Sequence, residues 1–244
     1  MSKRTIVDAN TFFGFYPRRK VDSSLEALLQ IMKENGVSKA LTLSLKGVFY
    51  SYEEGNEETL RVCKNHRNLM PVATLDPRRF LGGRSEIESL LELGFKAFRL
   101  FPDVQGYPLN YSPVIEIFNC LDGLKAPLLI SVGGRGDITA VSKLTCGKDF
   151  PVIIVGCFYS NLSEFIVSAR KNKNLYVETH HLASPDSLEV LVNKVGADRI
   201  IFGSGTPLEY FQASYMMVES SRLSEEHKNL VLGENLLRII GEEM

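Results

Sequence analysis

The chain has 244 residues, 44% hydrophobic and 23% charged, with a formal net charge of −1. That length fits one domain over residues 1–244, large enough to hold a core without a disulfide or metal staple. The near-neutral charge argues against nucleic acid or an anionic membrane as partner, and no apolar run approaches the ~18 residues of a membrane span.

Met1-Ser2-Lys3-Arg4 leads straight into a strand rather than into an apolar signal segment. Cys63, Cys120, Cys146 and Cys157 form no C-x-x-C pair, so the expectation is a reduced, cytoplasmic protein.

From residue 4 onward, short β-branched runs alternate with helical patterns. Thr5-Ile6-Val7 is the first predicted strand, ending at Asp8-Ala9-Asn10-Thr11. Ser23 or Ser24 then caps a helix carrying Leu25, Leu28, Leu29 and Met32, which stops at Asn35-Gly36. The second strand lies within Val37 to Leu45. A polar, aromatic loop with Phe49, Tyr50 and Tyr52 follows, and then a helix around Glu57 to Lys64.

Leu69 to Leu75 is the third strand, and a helix runs from Ser85 to Leu93. Phe95 to Leu100 is the fourth, opening onto a loop at Phe101-Pro102-Asp103 and a helix from Ser112 to Leu121. Pro127 to Val132 is the fifth, closing on Gly133-Gly134-Arg135-Gly136, with a helix over Asp137 to Leu144. Pro151 to Val155 is the sixth, before a helix from Leu162 to Lys171.

Leu175 to Glu178 is the seventh strand, followed by His180-His181. Ser184-Pro185-Asp186 then reads as a cap with Pro in the first helical turn. Ile200 to Phe202 is the eighth, and helices near Tyr210 to Ser220 and Glu225 to Ile240 close the chain. Short continuous apolar strands suit a parallel sheet buried on both faces. Eight strand–helix units favour an α/β fold of the (β/α)8 TIM-like barrel type over a doubly wound sheet, since no G-x-G-x-x-G turn follows the first strand.

Several of these segments carry a family pattern. The eighth unit reads Phe202-Gly203-Ser204-Gly205-Thr206-Pro207, where the pattern is F-G-S-D-x-P. The fourth reads G-F-K-A-F-R-L-F-P-D-V-Q-G-Y over Gly94 to Tyr107, and the tail L-S-E-E-H-K-N-L-V-L-G-E-N-L-L-R-I-I begins at Leu223. In these segments the chain resembles the amidohydrolase-related (amidohydrolase 2) family of metal-dependent hydrolases. The resemblance implies a TIM barrel and hydrolysis or decarboxylation of small organic acids or amides. It also implies a divalent metal, often zinc, held by two His on strand one, a His on each of strands five and six, and an Asp on strand eight. The matching positions here are Asn10, Phe12, Ser131, Cys157 and Gly205. Of these only Cys157, as thiolate, is a strong zinc donor, so no metal cofactor is expected, with zinc as the alternative.

Three readings remain for the polar groups at the strand ends, the face where barrel chemistry sits. The first is a replacement metal site from Asp8, Cys157 and Glu178 or His180. The second is metal-free acid–base work, with His180 or His181 as base near neutral pH. The third is binding of a small anion centred on Arg99. An Arg inside an apolar strand needs a partner, either a carboxylate such as Asp8 or a ligand. The Gly133 to Gly136 turn offers backbone N–H groups to that anion. Asp8, His180 and Arg99 are the candidate catalytic residues. Asn10, Arg78, Ser131, Arg135, Cys157, Tyr159, Glu178, His181 and Ser204 are the candidate ligand-binding ones. The expected partner is an anionic small molecule, with a homo-oligomer left open. An aromatic rim of Phe12, Phe13, Phe15, Tyr16, Phe49, Tyr50 and Phe158 leaves a partner-binding role as the third class.

Overall fold

The computed structural model describes residues 4–242. Eight strands form one parallel sheet in sequential order: β1 (Ile6–Phe13), β2 (Val37–Ser44), β3 (Leu69–Thr74), β4 (Ala97–Leu100), β5 (Leu128–Ser131), β6 (Val152–Val155), β7 (Leu175–Glu178) and β8 (Ile200–Ile201). The ring closes between first and last strand. Ala9 N–H donates to Phe202 O at 2.9 Å, Gly205 N–H to Asn10 O at 2.9 Å, and Phe12 N–H to Thr206 O at 2.9 Å. This is a (β/α)8 TIM barrel; a doubly wound sheet would break the sequential strand order and leave two edges.

The helices are α1 (Leu25–Asn35), α2 (Leu45–Phe49), α3 (Tyr52–Asn65), α4 (Gly83–Glu92), α5 (Pro102–Gln105), α6 (Ser112–Leu121), α7 (Asp137–Leu144), α8 (Tyr159–Lys171), α9 (Ser187–Val195), α10 (Phe211–Glu219), α11 (Glu225–Asn229) and α12 (Asn235–Ile240). No described helix is long and apolar enough to cross a membrane.

Strand alternation divides the core. Val7, Ala9, Leu41, Leu43, Met70, Val72, Ala97, Leu129, Ile153, Val155 and Ile201 pack inside the ring. Ile6, Phe98, Leu100, Leu128, Ile130, Val152, Ile154, Leu175, Val177, Ile200 and Phe202 face the helix layer. With period two, Arg99 follows Ala97 inward, Ser131 follows Leu129, and Glu178 lies one step beyond Tyr176.

Several boundaries differ from the sequence expectation. β1 does not stop at Asp8; it runs to Phe13 through a register shift between Asp8 and Thr11 that re-aims its end. The loop expected at Phe49 and Tyr50 is in part the short helix α2, whose Ser44 side chain accepts from Lys46 N–H. Phe101-Pro102-Asp103 is likewise not all loop, because Pro102 opens α5. Pro185 is not in the first turn of α9: that helix starts at Ser187, after Asp186 at φ 61°. The single closing helix expected from Glu225 to Ile240 widens into a π-helical turn over Leu230–Glu234.

Candidate active site

A pocket of about 300 Å³ opens at the C-terminal ends of the strands. Asn10 and Phe12 of β1 wall it on one side, with Arg99 and Phe101 from β4 and Ser131 from β5 opposite. His180, His181 and Gly205 come from the loops after β7 and β8, while Leu45, Val48 and Phe49 come from α2. Its surface is mostly apolar and aromatic, with a few polar groups directed inward, as in sites for small organic ligands.

Arg99 dominates the buried end. It is 3% exposed. Its Nη2–H donates to Ser131 Oγ at 3.1 Å, and its guanidinium carbon lies 4.9 Å from the Phe101 ring centroid. Nε and Nη1 are buried and find no acceptor. Arg199, the other buried arginine, shows the contrast: its Nε and Nη2 donate to Leu175 O and Asn172 O. Burial pushes the Arg99 pKa down to about 10, against the opposing attraction of the Glu178 charge, and the guanidinium stays protonated at neutral pH.

Of the two partners the sequence offered Arg99, a carboxylate such as Asp8 or a ligand anion, Asp8 is not in place. Asp8 lies between the inward-facing Val7 and Ala9, on the outward side of β1, and outside the pocket lining. It is held instead by Ser204, whose hydroxyl donates to Oδ2 at 2.5 Å and whose N–H donates to Oδ1 at 3.0 Å, with Asn10 N–H adding 2.9 Å to Oδ1. Burial raises its pKa to about 7; these hydrogen bonds act the other way.

Glu178 is fully buried behind the pocket wall. Its Oε1 accepts the His180 N–H at 3.0 Å and its Oε2 meets His180 Nδ1 at 2.5 Å. His181 lies with its ring centroid 3.6 Å from that of His180 and 4.4 Å from that of Phe158. Burial, reinforced by His180, lowers the His181 pKa to about 4, so this ring is neutral at pH 7. The pair is therefore half-buried pocket wall rather than solvated loop.

Other candidates are spread more widely. Arg78 chelates Asp76 at 2.7 and 2.8 Å and lies outside the pocket. Arg135 and Tyr159 are exposed and also outside it. The glycine turn has spent its donors on the chain's own carboxylates: Gly133 and Gly134 N–H go to Asp137 Oδ2, and Gly136 N–H goes to Glu164. Of the aromatic rim, Phe12, Tyr16, Phe49 and Phe158 line the pocket. Phe13 is buried in the outer core, and Phe15 and Tyr50 are exposed and line a neighbouring cavity that shares Leu45 and Phe49 with this pocket. Asp103 and Glu209 line the pocket without having been singled out. Both are exposed on its open side, and the only signal for them was their position just past a strand end.

A family-type metal does not fit these residues. Of the five matching positions, Asn10, Phe12, Ser131 and Gly205 reach the pocket, and none offers an anionic or imidazole donor. Cys157 is sealed in the outer core with its Sγ 3.8 Å from Phe158 O, and burial pushes its thiol up to about 12. Gly205 adopts φ +73°, and a Cβ there would lie 3.3 Å from His180 Cδ2 and 3.1 Å from Glu209 Cγ. A side chain at this position would crowd Glu209 and the edge of His180, at a backbone conformation that favours glycine. Among the described residues no three of His, Cys, Asp and Glu are grouped to hold a metal ion.

The model of the family described as Amidohydrolase (amidohydrolase 2) matches residues 52–241. The chain belongs to the amidohydrolase family. Among solved structures it is similar to 5-carboxyvanillate decarboxylase from Sphingomonas paucimobilis, with a TM-score of 0.78 and 12% identity over 99% of this chain and 100% of that one. It is also similar to a probable 2-pyrone-4,6-dicarboxylic acid hydrolase from Acinetobacter baumannii with citric acid bound: TM-score 0.74, 12% identity, 97% and 99% covered. A third is dihydroxybenzoic acid decarboxylase from a Polaromonas species, with bound manganese and the inhibitor 2-nitroresorcinol: TM-score 0.76, 12% identity, 98% and 97% covered. At such identities the likeness is one of fold. No curated protein matches this chain in sequence.

Proposed function

We propose that this amidohydrolase-family barrel has a degenerate metal centre and binds a small organic carboxylate over Arg99, either as a binding protein or as the substrate of a diverged, metal-independent reaction. The observation that carries this reading is the buried guanidinium with two donor nitrogens and no acceptor, at the closed end of an apolar pocket. A buried N–H left unpaired costs about 1–3 kcal/mol, and a charged one more. A carboxylate seated there accepts from one of these nitrogens, with Nη2 completing the fork, and lowers that cost, beside the Ser131 hydroxyl that Nη2 already meets. Asp103 and Glu209, exposed carboxylates of the lining, would bias entry toward ligands whose far side is neutral. The dicarboxylate hydrolase and aromatic-acid decarboxylases that share the fold act on acids of this chemistry, which supports the class. The four cysteines are all free, in keeping with a reducing compartment, and we place the protein in the cytoplasm.

The test is calorimetry with benzoate and citrate on the wild type and on Arg99→Met, with elemental analysis of metal content alongside. Wild type is expected to bind at least one of the acids and Arg99→Met neither, with no stoichiometric metal in either protein after incubation with zinc or manganese and desalting. Ligand-free Arg99→Met is expected to melt higher than wild type, because it deletes a buried charge left largely unpaired. Equal binding by both proteins, or a tightly held stoichiometric metal, would overturn the reading.

A further inference from the structure

We propose that Glu178 and His180 form a metal-free proton-transfer pair that acts on the acid held by Arg99, with His180 Nε2 as the catalytic atom and Glu178 as its positioning residue. The inference rests on the pocket reading above and extends it from binding to chemistry.

An ionised carboxylate only accepts hydrogen bonds. Glu178 accepts the backbone N–H of His180 at 3.0 Å, and its second oxygen lies 2.5 Å from ring Nδ1; in the proposed pair Nδ1 carries the proton toward Glu178 and Nε2 is left as the lone pair. His180 lines the pocket that Arg99 also lines. Glu178 itself is fully buried and outside the lining. It reaches a ligand only through the ring it orients.

The rest of the wall fixes that ring. The tilted His181 ring packs against it from one side, 3.6 Å between centroids, and the bare backbone of Gly205 admits its Cδ2 edge on another. Gly203 is needed behind the pair, since a Cβ there would lie 2.1 Å from Glu178 Oε1. His181, neutral and sandwiched against Phe158, adds no positive charge to compete for the acid.

The step balances without an oxidant, a reductant or a further reactant. In a carboxylic acid with an ionisable O–H or C–H beside its carboxylate, that bond breaks and its electron pair stays on the ligand. The proton goes to Nε2, and Glu178 stabilises the imidazolium that forms. The added negative charge is spread toward the carboxylate that faces Arg99. Return of the proton to the same or a conjugated atom regenerates the neutral ring.

The experiment uses full-length protein with ¹⁵N-labelled histidine, observed by long-range proton–nitrogen correlation. The probes are 2-hydroxybenzoate, which carries a hydroxyl proton beside its carboxylate, and benzoate, which lacks it. The expected results are an Nδ1–H tautomer for His180 in the free protein and a displaced Nε2 resonance with 2-hydroxybenzoate but not with benzoate. Glu178→Gln is expected to mix the tautomers while still binding benzoate, a change that a purely structural Glu178 would not produce. An Nε2–H tautomer in the free wild type overturns the proposal. So does an unmoved Nε2 when 2-hydroxybenzoate is bound, and in that case the binding reading survives. If neither acid binds, the binding reading falls and the proton-transfer pair falls with it.

Discussion

Asp8 holds a carboxyl group at 1% exposure, with a pKa raised to about 7 because burial outweighs its three hydrogen bonds. The folded state therefore keeps a proton that the unfolded chain releases near pH 4. Where folding raises an acid's pKa, stability is full below the unfolded value and is lost as pH rises toward the folded one. Wild type is expected to lose stability between pH 4 and pH 7 relative to Asp8→Asn, by about 1.4 kcal/mol for each unit of pKa difference. Urea unfolding of both proteins at several pH values checks this, and parallel curves would assign the pH dependence elsewhere. Some of this residue-scale picture was legible in the sequence. An arginine in an apolar strand already implied a partner problem, and Arg99 has it. The face of Asp8 was not legible, because calling the strand three residues long hid the alternation that turns Asp8 away from the pocket. Nor could the sequence show that Cys157 is sealed in the outer core, or that Asp137 and Glu164 take the donors of the glycine turn; those follow from packing between elements far apart in the chain.

The wall built by α2 depends on a contact between two glycines. A Cβ on Gly55 of α3 would lie 2.2 Å from both Cα and N of Gly47 in α2, so the two helices touch backbone to backbone. Alanine in a helix interior ordinarily gains up to about 1 kcal/mol over glycine. Here a rigid backbone stands in the way, and Gly55→Ala is expected to destabilise the protein by about 1–3 kcal/mol, the usual range for overpacking. It is also expected to weaken benzoate binding, because α2 must move and carries Leu45, Val48 and Phe49 of the pocket. A urea midpoint at or above wild type would sink this argument. Strands and long helices were readable from apolar periodicity at this scale. α2 and α5 were not, since each is five residues or fewer and leaves too little pattern to distinguish from loop. The order of elements, read with the family pattern, was enough for the barrel; the site inside it depends on packing between segments far apart in the chain.

The last segment of the chain finishes the molecule. Phe202 N–H donates to Val231 O at 2.9 Å, and Asn235 Nδ2 donates to Ala197 O and Ile200 O, so the turn at Leu230–Glu234 and α12 cover the short strand β8. Gly233 lies against β1, where a Cβ would come 2.8 Å from Thr5 O. Val231, Leu232, Leu236 and Leu237 are buried there. A chain ending at Asn229 is expected to show no cooperative thermal transition by circular dichroism; a sharp transition would mean the ring shuts without this cover. Asp8 and Ser204, 196 positions apart, meet only when it is shut, and the pocket takes walls from both sides of the same seam. An occupant of that pocket is therefore a clasp between the two ends of the chain. At a hundredfold excess over its dissociation constant it adds about 2.7 kcal/mol to the closed state. For the proposed acid ligand, the lifetime of the protein against proteolysis is expected to rise and fall with ligand supply.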